Sequence, residues 1–324
     1  MIMKPRTKPL ALIKMEAIIR RVSGDHWNRE KIEKEYKTRL AGYQGEKTVD
    51  YHVSLLNPNT YLVLNDLRLK NLTGTYFQID TILIAQFGML LLSIKNFREK
   101  VIFEEATRQM IHMVDGKEKG YACPTVQAAQ HEVQIKQWLE KNNYPQLPIY
   151  SYIIFSDPQT IIKINGNPEH YQHIFTSNQL FLKMSHFEDS FRENRISRKD
   201  MNFLSNELIK QHQPSNYDLI KKLAIKRAEV QTGVRCPYCD HLAMIRKYGK
   251  WLCPKCQKTS VSAHIPALLD FFLLIKPSIT NAECRKFLHL DSRYQAQNIL
   301  NTIPSLKKVG KNRGTIYYYV GFQK

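Results

Sequence analysis

The hydrophobic pattern of this 324-residue chain is densest between positions 76 and 97, YFQIDTILIAQFGMLLLSIKNF. Two nearly unbroken apolar runs, 78–85 and 89–94, flank Gln86-Phe87-Gly88, which predicts a hairpin of buried strands. Each strand carries one charge: Asp80 within the first run and Lys95 at the close of the second. An acid and a lysine on adjacent strands can hold a divalent ion and orient a water for phosphodiester hydrolysis. A hairpin closed by an ion pair accounts for the same two residues.

The pattern around this hairpin predicts an α/β domain. Residues 1–40 are charged and helix-like, a lead-in of one or two helices. The stretch AGYQGEKTVDYHVSLL places Val49, Val53 and Leu56 on one helical face with Glu46 in the first turn, and Asn57-Pro58-Asn59 ends it. TYLVLNDLRL reads as a strand, followed by a loop over 70–75. KVIFEEATRQMIHMVDGKEKGYA alternates around Asp115-Gly116, a hairpin signal. Pro124 opens a helix whose inner face takes Val126, Ala129, Val133 and Trp138, and PIYSYIIFSD is a continuous apolar strand of the buried kind. The α/β domain then covers 41–165, and residues 166–232 read as a polar, basic helical connector.

Beyond the connector the pattern changes twice. CPYC at 236–239 and CPKC at 253–256 are separated by thirteen residues. Cys236, Cys239, Cys253 and Cys256 on two tight turns are what tetrahedral zinc requires, so 233–260 reads as a zinc ribbon. Four thiolates leave no open coordination position, so the zinc is structural. Arg246, Lys247, Lys250 and Lys255 in and around it favour nucleic acid as its partner. Residues 263–324 then read as three helices and a basic hairpin, a pattern resembling a winged helix-turn-helix, with Thr280 and Asp291 as N-caps of the second and third helices. Its third helix shows Arg293, Tyr294, Gln297, Asn298 and Asn301 outward, and Lys311 and Arg313 stand at the wing tip. Winged helices also serve as protein-binding and dimerisation units.

Charge sharpens this reading. The net charge is +19, and residues 301–324 contain no acid. Polyphosphate backbones are the commonest partner of such a surface, and DNA is the expected one here. No apolar run reaches the ~18 residues of a membrane span; the most apolar stretch, 265–275, is short and carries Asp270. No secretory signal opens the chain, and paired C-x2-C motifs with lone Cys123 and Cys284 indicate a reducing, cytoplasmic setting.

The first two-thirds of the chain resembles the nuclease-related domain (NERD) family, a branch of the PD-(D/E)xK nucleases. The resemblance is carried by GYQGE at 42–46, FQIDT at 77–81, SIKN at 93–96 and CPTVQAAQH at 123–131, and covers about 40–165. It implies a restriction-endonuclease-like mixed sheet flanked by helices. It also implies a Mg2+ or Mn2+ site using Asp80, with Glu46 as an accessory acid, Lys95 polarising the water and Gln127 positioning a phosphate or Lys95. No small-molecule cofactor is implied. The chain departs from the family at Ser93, where the family has a metal-binding glutamate. Glu104 or Glu105 are candidates to compensate. Two functions follow: a metal-dependent nuclease, or a catalytically silent nuclease fold that binds or assembles on DNA.

Overall fold

The computed structural model describes residues 1–190 and 193–321, apart from the side chains of Ser190 and Arg313. In chain order its elements begin with β1 (Ile2–Lys4), α1 (Leu10–Arg21), α2 (Arg29–Ser54), β2 (Leu62–Lys70), β3 (Tyr76–Ala85) and β4 (Gly88–Lys95). There follow β5 (Lys100–Glu104), β6 (Gln109–Val114), β7 (Lys117–Ala122), α3 (Pro124–Lys141), β8 (Ile149–Phe155), β9 (Ile161–Asn165) and β10 (Ile174–Thr176). Next are α4 (Leu180–Ser190), α5 (Arg198–Lys210), α6 (Leu219–Lys222), β11 (Ile245–Lys247), β12 (Lys250–Leu252) and β13 (Thr259–Ser260). The chain closes with α7 (His264–Leu274), β14 (Ser278–Thr280), α8 (Asn281–Leu288), α9 (Arg293–Asn301), β15 (Leu306–Val309) and β16 (Ile316–Tyr319).

These elements divide into two compact units. The first comprises residues 1–9 and 38–215, and the second residues 10–37 and 216–324. The first unit is built on a six-stranded sheet in the order β1-β2-β3-β4-β8-β10. β2, β3 and β4 are antiparallel neighbours, while β1, β8 and β10 join in parallel. The mixed sheet is flanked by helices, as the apolar runs of β3, β4 and β8 require of strands covered on both faces. On one face Ile135, Trp138 and Leu139 of α3 and Met201, Leu204 and Leu208 of α5 pack on Leu64, Ile82 and Leu91. On the other, Val49 and Val53 of α2 and Met184 and Phe187 pack on Leu83, Leu92 and Ile154. A second sheet, β7-β6-β5-β9, carries its own apolar layer through Val101, Phe103 and Met110, and turns at Asp115 and Gly116, both at positive φ.

Three expectations are corrected here. The inner face of α3 is Ala128, Ile135, Trp138 and Leu139; Val126, Ala129 and Val133 are exposed. Residues 166–215, expected as a connector, complete the first unit: β10 extends the sheet and α5 covers it. The N-cap of α9 is Ser292, whose hydroxyl accepts from the Gln295 N–H, rather than Asp291.

The second unit joins two parts of the chain. Met15 and Ile18 of α1 pack with Leu219, Leu223 and Leu273. Within it, the buried Arg21 guanidinium donates to Asp270 at 2.8 Å and to the Gly233 carbonyl at 2.8 Å, and Arg20 reaches the same carboxylate at 2.7 Å. The acid within the most apolar stretch is therefore held by two arginines; removing one partner of such a buried pair costs about 3–5 kcal/mol. The cysteine turns, β12 and α7–α9 share one core, in which Cys236, Trp251 and Cys253 lie with Phe271, Phe287, Ile299 and Tyr317. The last three strands form an antiparallel sheet in the order β14-β16-β15. No helix among the described residues is long and apolar enough to cross a membrane.

Candidate functional site

Pairing between β3 and β4 runs from Ala85↔Gly88 to Thr81↔Leu92 and stops there. Asp80 stands where the strands part, and its Oδ2 accepts the Ile94 N–H at 2.7 Å. A carboxylate thus replaces the main-chain acceptor that the departing strand no longer offers, which fixes the side chain at the fork. β2 is disturbed at the same level: Asn65↔Thr81 and Leu67↔Ile79 pair, but Asp66 between them has a φ of 53°. Lys4 of β1 donates to the Asn65 and Asp66 carbonyls at 2.7 and 2.9 Å.

Two helices bring the remaining side chains. The GYQGE segment lies in α2, where a Cβ on Gly45 would come within 2.6 Å of Ser156 Oγ and 2.8 Å of Asn96 Cβ. Only glycine lets the helix approach β4 and β8 this closely. Asn96 fastens the contact by donating to the Ala41 carbonyl. This seats Glu46, and Asp50 one helical turn later, beside the fork. On the other side Lys95 at the end of β4 donates to Gln127 Oε1 in the first turn of α3 at 2.9 Å. His131, one turn further along α3, is half-buried and feels both charges: burial lowers its pKa foremost, Asp80 raises it and Lys95 lowers it.

The residue missed in the sequence is Arg6. Its side chain is 3% exposed and its guanidinium lies among the acids. Nη1 donates to Glu46 at 2.6 Å, and Nε and Nη2 to the two oxygens of Asp50 at 2.9 and 3.1 Å. Nη2 also reaches the Asp80 carbonyl at 2.9 Å and Thr81 Oγ1 at 2.8 Å. Even so, the Glu46 carboxyl is pushed up to about 7, by burial first and then by Asp80, with Asp66 and Asp50 adding and Arg6 opposing. One guanidinium, bound in a fork to Asp50, does not offset burial among three other acids. Asp50 and Arg6 carried one legible hint between them: Glu46 and Asp50 have the i, i+4 spacing of one helix face.

These residues do not fit a Mg2+ or Mn2+ cage as they stand. A hard cation is held by several oxygens, anionic ones foremost. Here one oxygen of Asp80 is engaged by Ile94, Glu46 and Asp50 are both engaged by Arg6, and Ser93 is buried without charge. Glu104 and Glu105 do not compensate. They lie on and just beyond β5 and bond to Asn165, and to His170 and the Asn167 N–H, respectively.

Residues 41–156 match a family described as the nuclease-related domain. This segment is similar to the nuclease-related domain. An uncharacterized protein of Bacillus anthracis is 26% identical over 149 residues, which is 46% of this chain and 68% of that one. No solved structure matches the chain. The match supports a nuclease-related function.

Outside the nuclease-related domain, the cysteines make the second constellation. The Sγ atoms of Cys236, Cys239, Cys253 and Cys256 all lie within 4.8 Å of one another, with Cys236–Cys256 and Cys239–Cys253 each at 3.6 Å. Thiolates around a tetrahedral zinc stand about 3.8 Å apart at Zn–S distances of about 2.3 Å, so these side chains fit a metal ion such as zinc. Among the described residues this is the cluster of three or more His, Cys, Asp or Glu groups able to hold an ion. Further along, Arg293, Tyr294, Gln297, Asn298 and Asn301 of α9 are exposed, as is Lys311; the Arg313 side chain lies outside the described residues.

Proposed function

We propose that this protein binds nucleic acid, with DNA as the expected form, through a nuclease-related domain kept catalytically quiet and a zinc-bearing C-terminal unit. The observation that carries the quiet state is the Arg6 guanidinium bound to Glu46 and Asp50 where a nuclease of this fold needs anionic oxygens. Ser93 in place of the family's glutamate points the same way. Binding is supported by the net charge of +19. It is supported too by the order helix, strand, helix, helix, strand, strand from α7 to β16, that of a winged helix, with α9 as the reading helix and Lys311 and Arg313 at the wing.

A second reading, metal-dependent phosphodiester hydrolysis, is favoured by a separate observation: Asp80 at the strand fork and Lys95 held by Gln127 remain in place. The deciding experiment uses plasmid and linear DNA in Mg2+ and then Mn2+. Wild type is run beside Asp80→Ala, Lys95→Ala, Ser93→Glu and Arg6→Met. The quiet reading expects wild type to bind DNA with affinity that falls steeply as salt rises, and to leave it uncut. Cleavage by wild type that disappears in both Asp80→Ala and Lys95→Ala replaces it with the hydrolytic reading.

A further inference from the structure

The turn between β11 and β12 is built against local preference in three ways. Tyr248 occupies it with a φ of 46°, followed by Gly249 at 77°. The first position of such a turn favours Asn, Asp or Gly, because a side chain in the left-handed region crowds its own backbone. The aromatic ring gains no packing in return: Tyr248 is 102% exposed. Among the described residues it has no hydrogen bond or ring contact. Finally, Lys247 and Lys250 face each other as the closing pair of the hairpin, and like charges placed opposite are destabilising. Neither lysine has an acidic partner among the described residues.

A turn that served only the fold would carry Asn-Gly between neutral or oppositely charged residues. Local conflicts of this kind collect at functional positions. The base of the hairpin is firm enough to hold the tip: Trp251 is fully buried, accepts Arg246 over its ring at 5.2 Å and donates through Nε1 to His264 at 3.0 Å. The result is an anchored stem with an exposed aromatic ring at its tip and two lysines as its closing pair.

We infer that Tyr248 is a stacking finger for an unpaired base of single-stranded nucleic acid, with Lys247 and Lys250 on the flanking phosphates. Single-strand binding combines these two elements: aromatic faces that take any base, and cations that track the backbone. A duplex offers no open base face to a lone ring at a hairpin tip, so the finger discriminates single strands from duplex. The inference rests on the nucleic-acid reading above.

The test uses full-length, zinc-loaded protein and fluorescence anisotropy with a labelled oligothymidylate and a duplex of similar length. Tyr248→Ala and Tyr248→Asn are expected to weaken oligothymidylate binding about tenfold, within the range for losing one stacked base. Tyr248→Trp retains binding, and duplex affinity is unchanged in all three. Lys247→Ala with Lys250→Ala reduces the log–log salt slope for the single strand by about 1.4, as expected for two phosphates. Thermal stability of Tyr248→Asn is expected to equal or exceed wild type, because Asn suits the turn. A drop in its melting temperature assigns the ring a structural role and overturns the inference. So does single-strand binding by Tyr248→Ala equal to wild type, or an equal loss on both ligands. If wild type binds neither oligonucleotide at low salt, the nucleic-acid reading itself fails.

Discussion

Arg6 and Glu46 form an ion pair of 2.6 Å between residues forty positions apart, at the level of the fork where β3 leaves β4. The guanidinium has a planar donor fork and takes Asp50 as well, so a single cation from the N-terminal segment serves two acids on one face of α2. This offsets only part of the cluster's charge, since the Glu46 carboxyl is still pushed up to about 7.

Removing that cation has two opposed consequences. Arg6→Met leaves the half-buried Glu46 and Asp50 without a counter-charge, which is expected to lower stability by about 3 kcal/mol. It also leaves anionic oxygens beside Asp80. Isothermal titration with Mn2+ is expected to show weak binding in Arg6→Met and none in wild type, and a further Asp80→Ala change abolishes it. Equal Mn2+ binding by wild type and Arg6→Met removes the role assigned to Arg6.

The elevated Glu46 pKa fixes the sign of a pH effect. The folded state holds the proton to about 7 and the unfolded chain to about 4.5. Between those values the folded state binds more protons, so stability falls as pH rises through this window and levels off above it. Glu46→Gln cannot ionise and escapes that loss. Its melting temperature should match wild type near pH 4.5 and exceed it above pH 7. The gain corresponds to roughly 2 kcal/mol once partial exposure is allowed for. Chemical denaturation at both pH values measures it, and a variant less stable than wild type at pH 8 contradicts the assignment.

Gly45→Ala tests whether the GYQGE segment is a packing motif. Helix propensity alone favours alanine by about 1 kcal/mol. Against this, the new methyl would meet Asn96 Cβ at 2.8 Å, an atom held close to its own backbone, and Ser156 Oγ at 2.6 Å. Overpacking of this kind costs about 1–3 kcal/mol, so a net loss of about 1 kcal/mol is expected by urea denaturation. Gly42, with nothing within 4 Å of its Cβ position, is the control. Gly42→Ala is expected to be neutral or stabilising.

Glu46, Asp80, Lys95 and Gln127 stood out as candidates because each sits in a short ordered string and the strands beneath them are long apolar runs. The face of α3 was not. Val126 and Val133 are seven residues apart, as are Ala128 and Ile135, so the spacing supports two stripes and only contact with the sheet chooses the second. Arg6 was invisible for a different reason. Its partners lie forty to seventy-five positions away, and a strand of three residues, β1, carries no periodicity to announce it. Residues 166–215 hid their role likewise: α5 is amphipathic, but nothing local says which sheet its Met201, Leu204 and Leu208 will cover.

The cysteine cluster carries the last prediction. Cys236 and Cys253 are buried in the same core as Trp251, Phe271 and Phe287, so a bound metal would brace that core as well as the two cysteine turns. Structural zinc supplies about 10–16 kcal/mol in small zinc domains, far more than a unit of this size has to spare. Purified protein is expected to contain one zinc per chain by elemental analysis. Stripping it with a strong chelator should loosen the core around Trp251 and shift its emission to the red. The signal is isolated in a Trp27→Phe, Trp138→Phe background, because Trp27 is exposed and Trp138 packs in the nuclease-related domain. Cys239→Ser and Cys256→Ser, at the two half-exposed thiols, should give the same shift without chelator. A metal-free protein whose Trp251 emission ignores both treatments shows that the four thiols hold no structural ion.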